Sequence, residues 1–213
     1  MRLLTFGDSW TAGHGVETDS TFKENAHPLE GKGFIVNLRR FNSWPRYVAE
    51  NLDCVFVNNG YCGIGNHDIY NEVKILFDDK MIEDDDVFII MFSYPHRYRI
   101  KKPENDPIKV FDKLEELLKS HKRFYFNSFY PTFKDEDGFD TTTLPDYFIN
   151  PNGTMADMLR NYEILNNVSV WEYDSRSVWE NEENLWIGDY HPNLLGYKLI
   201  AQEIVKQIEN KLN

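Results

Sequence analysis

Residues Val87-Phe88-Ile89-Ile90-Met91-Phe92 form an unbroken apolar run, directly after Asp84-Asp85-Asp86. A strand with one wet face alternates polar and apolar residues. A strand with no polar residue needs cover on both faces, as in the centre of a parallel sheet. Shorter runs at 2–6, 54–57 and 123–126, and an alternating stretch at 168–173, predict four more strands. Helical spacing fills the intervals. Ser43 stands as N-cap before Trp44-Pro45, with Trp44, Val48 and Leu52 on one face. Ile69, Val73 and Leu76 mark a second helix, and Pro107 opens a third through Ile108, Phe111, Leu114 and Leu118. Residues 154–165 read as a fourth through Met155, Met158, Leu159 and Tyr162. A terminal helix starts near Leu194, with Leu195, Leu199 and Ile208 inward. Strands alternating with helices predict an α/β domain: a three-layer α/β/α sandwich on a central parallel five-stranded sheet. One domain spans 1–213, with irregular insertions at about 14–42 and 127–150.

Composition narrows the function. The net charge of −12 argues against binding a nucleic-acid backbone, which needs a basic face. No segment approaches the roughly 20 apolar residues of a membrane helix. Residues 3–6 are too short an apolar run for a signal peptide, so the expectation is a cytoplasmic protein without a membrane partner. Two cysteines, Cys54 and Cys62, match no zinc spacing, and the histidines show none either; neither metal nor cofactor is expected. Aromatic residues make up 15% of the chain, more than a minimal core requires. Tyr94, Tyr130 and Phe133 are candidates to stack on a ligand, with the core as their ordinary place.

Open parallel sheets bind ligands beyond the carboxyl ends of their strands. Ser9, Gly63, Ser93 and Asn127 follow the first four predicted strands, so all four belong on one rim. Long loops are commonly functional, and the two irregular stretches flank that rim, where they would wall a pocket.

That rim has a catalytic vocabulary. A serine hydroxyl scarcely ionises at neutral pH and needs a base to take its proton, itself oriented by a third group. Gly7-Asp8-Ser9-Trp10 supplies the serine directly after the first strand. Asp189-Tyr190-His191-Pro192 supplies a histidine and a carboxylate directly before the last helix. Each has a plainer reading: Asp8-Ser9 as a helix cap, His191 as a turn residue, Asp189 as an N-cap, Gly63 as a turn glycine, and Asn66 as the cap of the second helix.

These residues resemble the GDSL or SGNH hydrolase family of esterases and lipases, whose fold is flavodoxin-like. Gly7-Asp8-Ser9-Trp10 is similar to the block carrying the nucleophile. Asn58-Asn59-Gly60-Tyr61-Cys62-Gly63 is similar to the second block, whose last glycine gives a backbone N–H to the oxyanion hole. Asp189-Tyr190-His191-Pro192 is similar to the last block. The resemblance implies Ser9 as nucleophile, His191 as general base and Asp189 as its orienter, with the N–H groups of Ser9 and Gly63 as oxyanion donors. Two departures stand out. The family places the Asp three residues before the His, where this chain has Gly188. The third block, Gly-x-Asn-Asp, is absent: the chain reads Phe92-Ser93-Tyr94-Pro95-His96-Arg97. The Ser93 hydroxyl, the Asn66 amide, His96 and Arg97 are the candidates for the missing donor, and Arg97 is equally suited to an anionic part of the substrate. Asp8, beside the nucleophile, completes the set of rim residues.

The resemblance implies a serine esterase acting through an acyl-enzyme on a small-molecule or carbohydrate ester, with acetyl on a carbohydrate as the leading case. Two alternatives remain open. One is a binding or structural module that kept the fold and lost turnover, which the absent Asn favours. The other is a thioesterase or peptidase of the same family. The oligomeric state is not legible in the residues.

Overall fold

The apolar run at residues 87–92 is the middle strand of the sheet. In the computed structural model, which describes residues 1–13, 42–93, 106–128, 144–149, 153–172 and 191–212, five parallel strands line up in the order β2-β1-β3-β4-β5. They are β1 (Arg2–Gly7), β2 (Val55–Gly60), β3 (Val87–Phe92), β4 (Lys122–Asn127) and β5 (Phe148–Ile149). β3 pairs with β1 from Leu3↔Val87 to Phe6↔Ile90, and with β4 from Val87↔Lys122 to Phe92↔Asn127. All six of its residues are buried. An unbroken apolar strand finds cover on both faces, as its composition requires.

The helices are α1 (Trp44–Leu52), α2 (Asn66–Asp78), α3 (Pro107–Leu117), α4 (Met155–Asn166) and α5 (Leu194–Leu212). Strand alternation divides the core in two. Leu3, Val87, Ile89, Met91, Phe124 and Phe126 point to one face, where they pack with Trp44 and Val48 of α1, Met155 and Leu159 of α4, and Tyr197, Ile200 and Ile204 of α5. Leu4, Phe6, Phe88, Ile90, Phe92 and Tyr125 point to the other, against Ile69 and Val73 of α2 and Val110, Phe111 and Leu114 of α3. The result is the three-layer α/β/α sandwich. Each large side chain so buried is worth about 1.5–3 kcal/mol. Much of the aromatic content is spent here: Phe92, Phe111, Tyr125 and Phe148 pack ring against ring at centroid distances of 5.1–6.5 Å. Tyr94, Tyr130 and Phe133 lie outside the described residues.

Four local expectations are corrected. The fifth strand of the sheet is Phe148–Ile149, from within the stretch expected to be irregular. The 168–173 run instead yields β6 (Trp171–Glu172), which pairs antiparallel with β7 (His191–Pro192) in a separate two-stranded sheet. Alternation encodes a strand but not its partner. Ser43 occupies the N-cap position of α1 without making a capping bond; its hydroxyl donates to the Thr11 carbonyl at 2.9 Å. Residues 8–13 form a tight turn, not the start of a helix, closed by the Ala12 N–H on the Asp8 carbonyl at 2.9 Å. In α5, Leu195 is exposed, whereas Leu199 packs against the core half-buried and Ile208 is buried, in a stripe with Tyr197, Ile200, Ala201 and Ile204.

Caps fix the remaining helix starts. The Asp106 carboxylate accepts the Ile108 N–H at 3.0 Å before α3, and the Thr154 hydroxyl accepts the Asp157 N–H at 3.0 Å before α4. Among the described residues, no helix is long and apolar enough to cross a membrane.

Candidate active site

Gly7 ends β1 and the chain folds back sharply. A Cβ on Gly7 would lie 2.1 Å from the Thr11 hydroxyl oxygen, and one on Gly60, its partner in β2, would lie 2.4 Å from the Ala12 nitrogen. The two glycines let the 8–13 turn settle directly on the ends of β1 and β2. Ser9 sits in that turn, buried but for 5% of its surface. The turn is held by the Asp8 carboxylate, which accepts the Trp10 N–H at 3.0 Å.

His191 arrives from the far end of the chain. β7 pairs it with Glu172, and α5 begins three residues later. Asn193 anchors this approach. Its Oδ1 accepts the Gly196 N–H at 3.0 Å in capping fashion, its Nδ2 donates to the Ser169 carbonyl at 3.0 Å, and its own N–H donates to the Val170 carbonyl at 3.0 Å. Gly196 allows the close approach, since a Cβ there would meet the Val170 carbonyl at 2.5 Å. So placed, His191 Nε2 stands 3.0 Å from Ser9 Oγ, across 182 residues of sequence, and both side chains are buried. With its proton on Nδ1, the imidazole can accept the serine hydrogen through Nε2.

Three other rim residues, Asp8, Ser93 and Asn66, form one hydrogen-bonded set. Ser93, just past β3, donates its hydroxyl to Asp8 Oδ2 at 2.9 Å. Asn66 grips the Ser93 backbone twice: Oδ1 accepts its N–H at 2.7 Å and Nδ2 donates to its carbonyl at 3.2 Å. Asn66 is therefore the first residue of α2 rather than its cap. Gly65 takes the cap position and donates its N–H to Asp68 at 3.0 Å. Asp8, Ser93 and Asn66 are all buried. The Ser93 hydroxyl and the Asn66 amide, two of the candidates for the missing oxyanion donor, are thus engaged in holding the rim. Asn127 lies on the same rim and donates to the Gly153 carbonyl at 3.4 Å.

Gly63 lies in the exposed turn between β2 and α2 with φ +85°, the left-handed region. A Cβ there would meet nothing within 4 Å, so backbone conformation alone selects glycine. Asp189 and Arg97, together with His96, lie outside the described residues.

At the opposite end of the sheet, Glu83, Asp85 and Asp86 are the described acidic or histidine groups close enough to share an ion. Cations of the chain already face them: Arg2 makes two bonds to Asp86, at 3.0 and 2.7 Å, and the N-terminal amine lies 2.6 Å from Asp85.

The sequence reading missed Asn193, Asn58, Ser43 and Thr11 as structural supports of this rim. An Asn three residues before Gly196, at the head of an apolar helix, carried a readable capping signal. The others act across long sequence separations and left no local mark.

No family model and no curated protein matches the chain. Solved structures do. An acetyl xylan esterase from Geobacillus stearothermophilus matches with TM-score 0.50 and 17% identity over 97% of this chain and 94% of that one. An alpha/beta hydrolase enzyme from the metagenome of Lake Arreo, Spain, matches with TM-score 0.50 and 15% identity over 100% and 96%. At such identities the likeness is one of fold, and it extends over essentially the whole chain.

Proposed function

We propose that this chain is a serine hydrolase of the SGNH type that cleaves a small acyl ester through an acyl-enzyme. The observation that carries the reading is the 3.0 Å approach of His191 Nε2 to Ser9 Oγ. In the proposed reaction, His191 takes the hydroxyl proton as Ser9 Oγ attacks the ester carbonyl. The oxyanion forms against the backbone N–H groups of Ser9 and Gly63. His191 then returns the proton to the leaving alcohol, and a water, activated by the same imidazole, releases the acyl group. Asp189 orients the ring and favours its charged form in the transition state. An O-acetylated carbohydrate is the proposed substrate; the fold shared with an acetyl xylan esterase supports that choice.

A slower or non-catalytic binding module is the second reading. It is favoured by the engagement of the Ser93 hydroxyl, whose single hydrogen goes to Asp8. Loss of one oxyanion donor typically costs about 10²–10³ in rate.

A fluorophosphonate separates the two. The esterase reading expects one label on Ser9, located by mass spectrometry and abolished by His191→Ala, together with hydrolysis of p-nitrophenyl acetate above a Ser9→Ala control. Absence of both label and turnover supports the binding module.

A further inference from the structure

Two turns carry the proposed oxyanion donors: residues 8–13 with Ser9, and residues 61–65 with Gly63. Their relative position fixes where the developing charge is met, and displacement by about 1 Å can cost on the order of 10² in rate. One side chain bonds to the first turn and to the strand end that leads into the second. Asn58, half-buried near the end of β2, donates through Nδ2 to the Thr11 carbonyl at 2.7 Å and to Ser43 Oγ at 2.9 Å. Its Oδ1 accepts the Gly60 N–H at 2.9 Å, where the chain leaves β2 for the Gly63 turn. Ser43 closes the triangle by donating to the same Thr11 carbonyl at 2.9 Å. Thr11 is two residues from Ser9 and fully buried.

Independent contacts hold each turn against the strand end that leads into the other. The Tyr61 N–H donates to the Gly7 carbonyl at 3.1 Å, and Gly60 leaves no room for a Cβ against the Thr11–Ala12 backbone. A carboxamide suits this position because it offers two hydrogens and an acceptor on one rigid plane. A carboxylate of the same shape keeps the acceptor for Gly60 but turns an oxygen toward the Thr11 carbonyl.

We infer that Asn58, with Ser43 as its bridge, is a positioning residue that locks the Ser9 turn to the Gly63 turn and so sets the spacing of the oxyanion donors. This inference rests on the esterase reading above. Asn58 touches no reacting atom in that scheme and acts only through the two turns.

The test compares wild type, Asn58→Asp, Ser43→Ala and the double variant on p-nitrophenyl acetate. Thr154→Ala, which uncaps α4, serves as a destabilised control. The readouts are kcat, KM, the rate of fluorophosphonate labelling and Tm. Asn58→Asp is expected to lower kcat and the labelling rate about 10–100-fold while KM stays within about threefold. Ser43→Ala is expected to lower kcat less, and the double variant to fall short of the product of the singles, as for residues in one network. Thr154→Ala is expected to lower Tm with kcat unmoved. A folded Asn58→Asp with kcat within about twofold of wild type, or changes confined to Tm, overturns the inference. If Asn58→Asp does not fold, Ser43→Ala decides on the same kcat criterion. A wild type that neither labels nor turns over removes the esterase reading and this inference with it; an active wild type with unmoved variants removes the inference alone.

Discussion

The hydroxyl of Ser93 donates to the carboxylate of Asp8 at 2.9 Å, joining the end of β3 to the residue before Ser9. Both are buried, and Asn66 fixes the Ser93 backbone from α2. A hydrogen bond to a charged, buried acceptor is worth about 1.5–3 kcal/mol. Ser93→Ala is therefore expected to destabilise the protein by about that amount, read from the urea midpoint at unchanged m-value. A loss under about 0.5 kcal/mol would show that the bond does not hold the rim.

Glycine substitutions should separate steric from conformational need. Gly60→Ala would press a Cβ onto the Ala12 nitrogen at 2.4 Å and the Thr11 carbonyl carbon at 2.6 Å, both backbone atoms of the Ser9 turn. Overpacking of this kind costs about 1–3 kcal/mol, and more where backbone must move. Gly63→Ala enters open space and bears only the left-handed penalty of about 1–2 kcal/mol. Denaturant melts are expected to rank Gly60→Ala as the more damaging of the two. The reverse order would mean that the Ser9 turn can shift freely.

Asp189 bears on the register of the last block. If it orients His191, Asp189→Asn lowers kcat about 10²–10⁴-fold with little change in KM, because the ring loses its correct tautomer. An unchanged kcat would remove Asp189 from the proposed mechanism and leave Ser9 and His191 in place.

A half-buried polar cluster predicts how stability follows pH. Glu115 on α3 pairs with Arg123 at 2.6 Å and accepts the hydroxyls of Tyr125, at 2.8 Å, and Tyr147. Burial pushes the Glu115 carboxyl up, but the bonds from Arg123, Tyr147 and Tyr125 and the guanidinium charge outweigh it, so it lies below the ordinary 4.5. Its stabilising contribution is full above that ordinary value and is lost as pH falls through the depressed one. Burial, then the bond to Glu115, pushes the Tyr147 phenol up to about 12. That contribution is full below the ordinary value of 10.0 and is lost as pH rises toward 12. Glu115→Gln is expected to lower Tm near neutral pH, with the gap to wild type narrowing as pH falls below 4.5. A gap independent of pH would remove the ionised carboxylate as its cause.

Secondary structure was legible where the side-chain period was strong. The run at 87–92 dictated a doubly covered strand, and the apolar spacing in α1, α2 and α3 marked their inward faces. These are local properties of neighbouring residues, and burial of apolar surface rewards them in any fold that covers them. Strand partners were not legible. Phe148–Ile149 joins the sheet as a two-residue edge, too short to show a period, while 171–172 turns to pair with His191–Pro192. The motifs around Ser9 and His191 could be read at the two ends of the chain, but not their 3.0 Å approach. That contact depends on the sheet order, on Asn193 holding the head of α5 and on glycines that let the Ser9 turn settle on the β1–β2 edge. Bonds such as Asn58 to Thr11 and Ser93 to Asp8 join residues 47 and 85 positions apart. Such pairings have no period and no local signature, so only the folded chain, by closing those long loops, selects them.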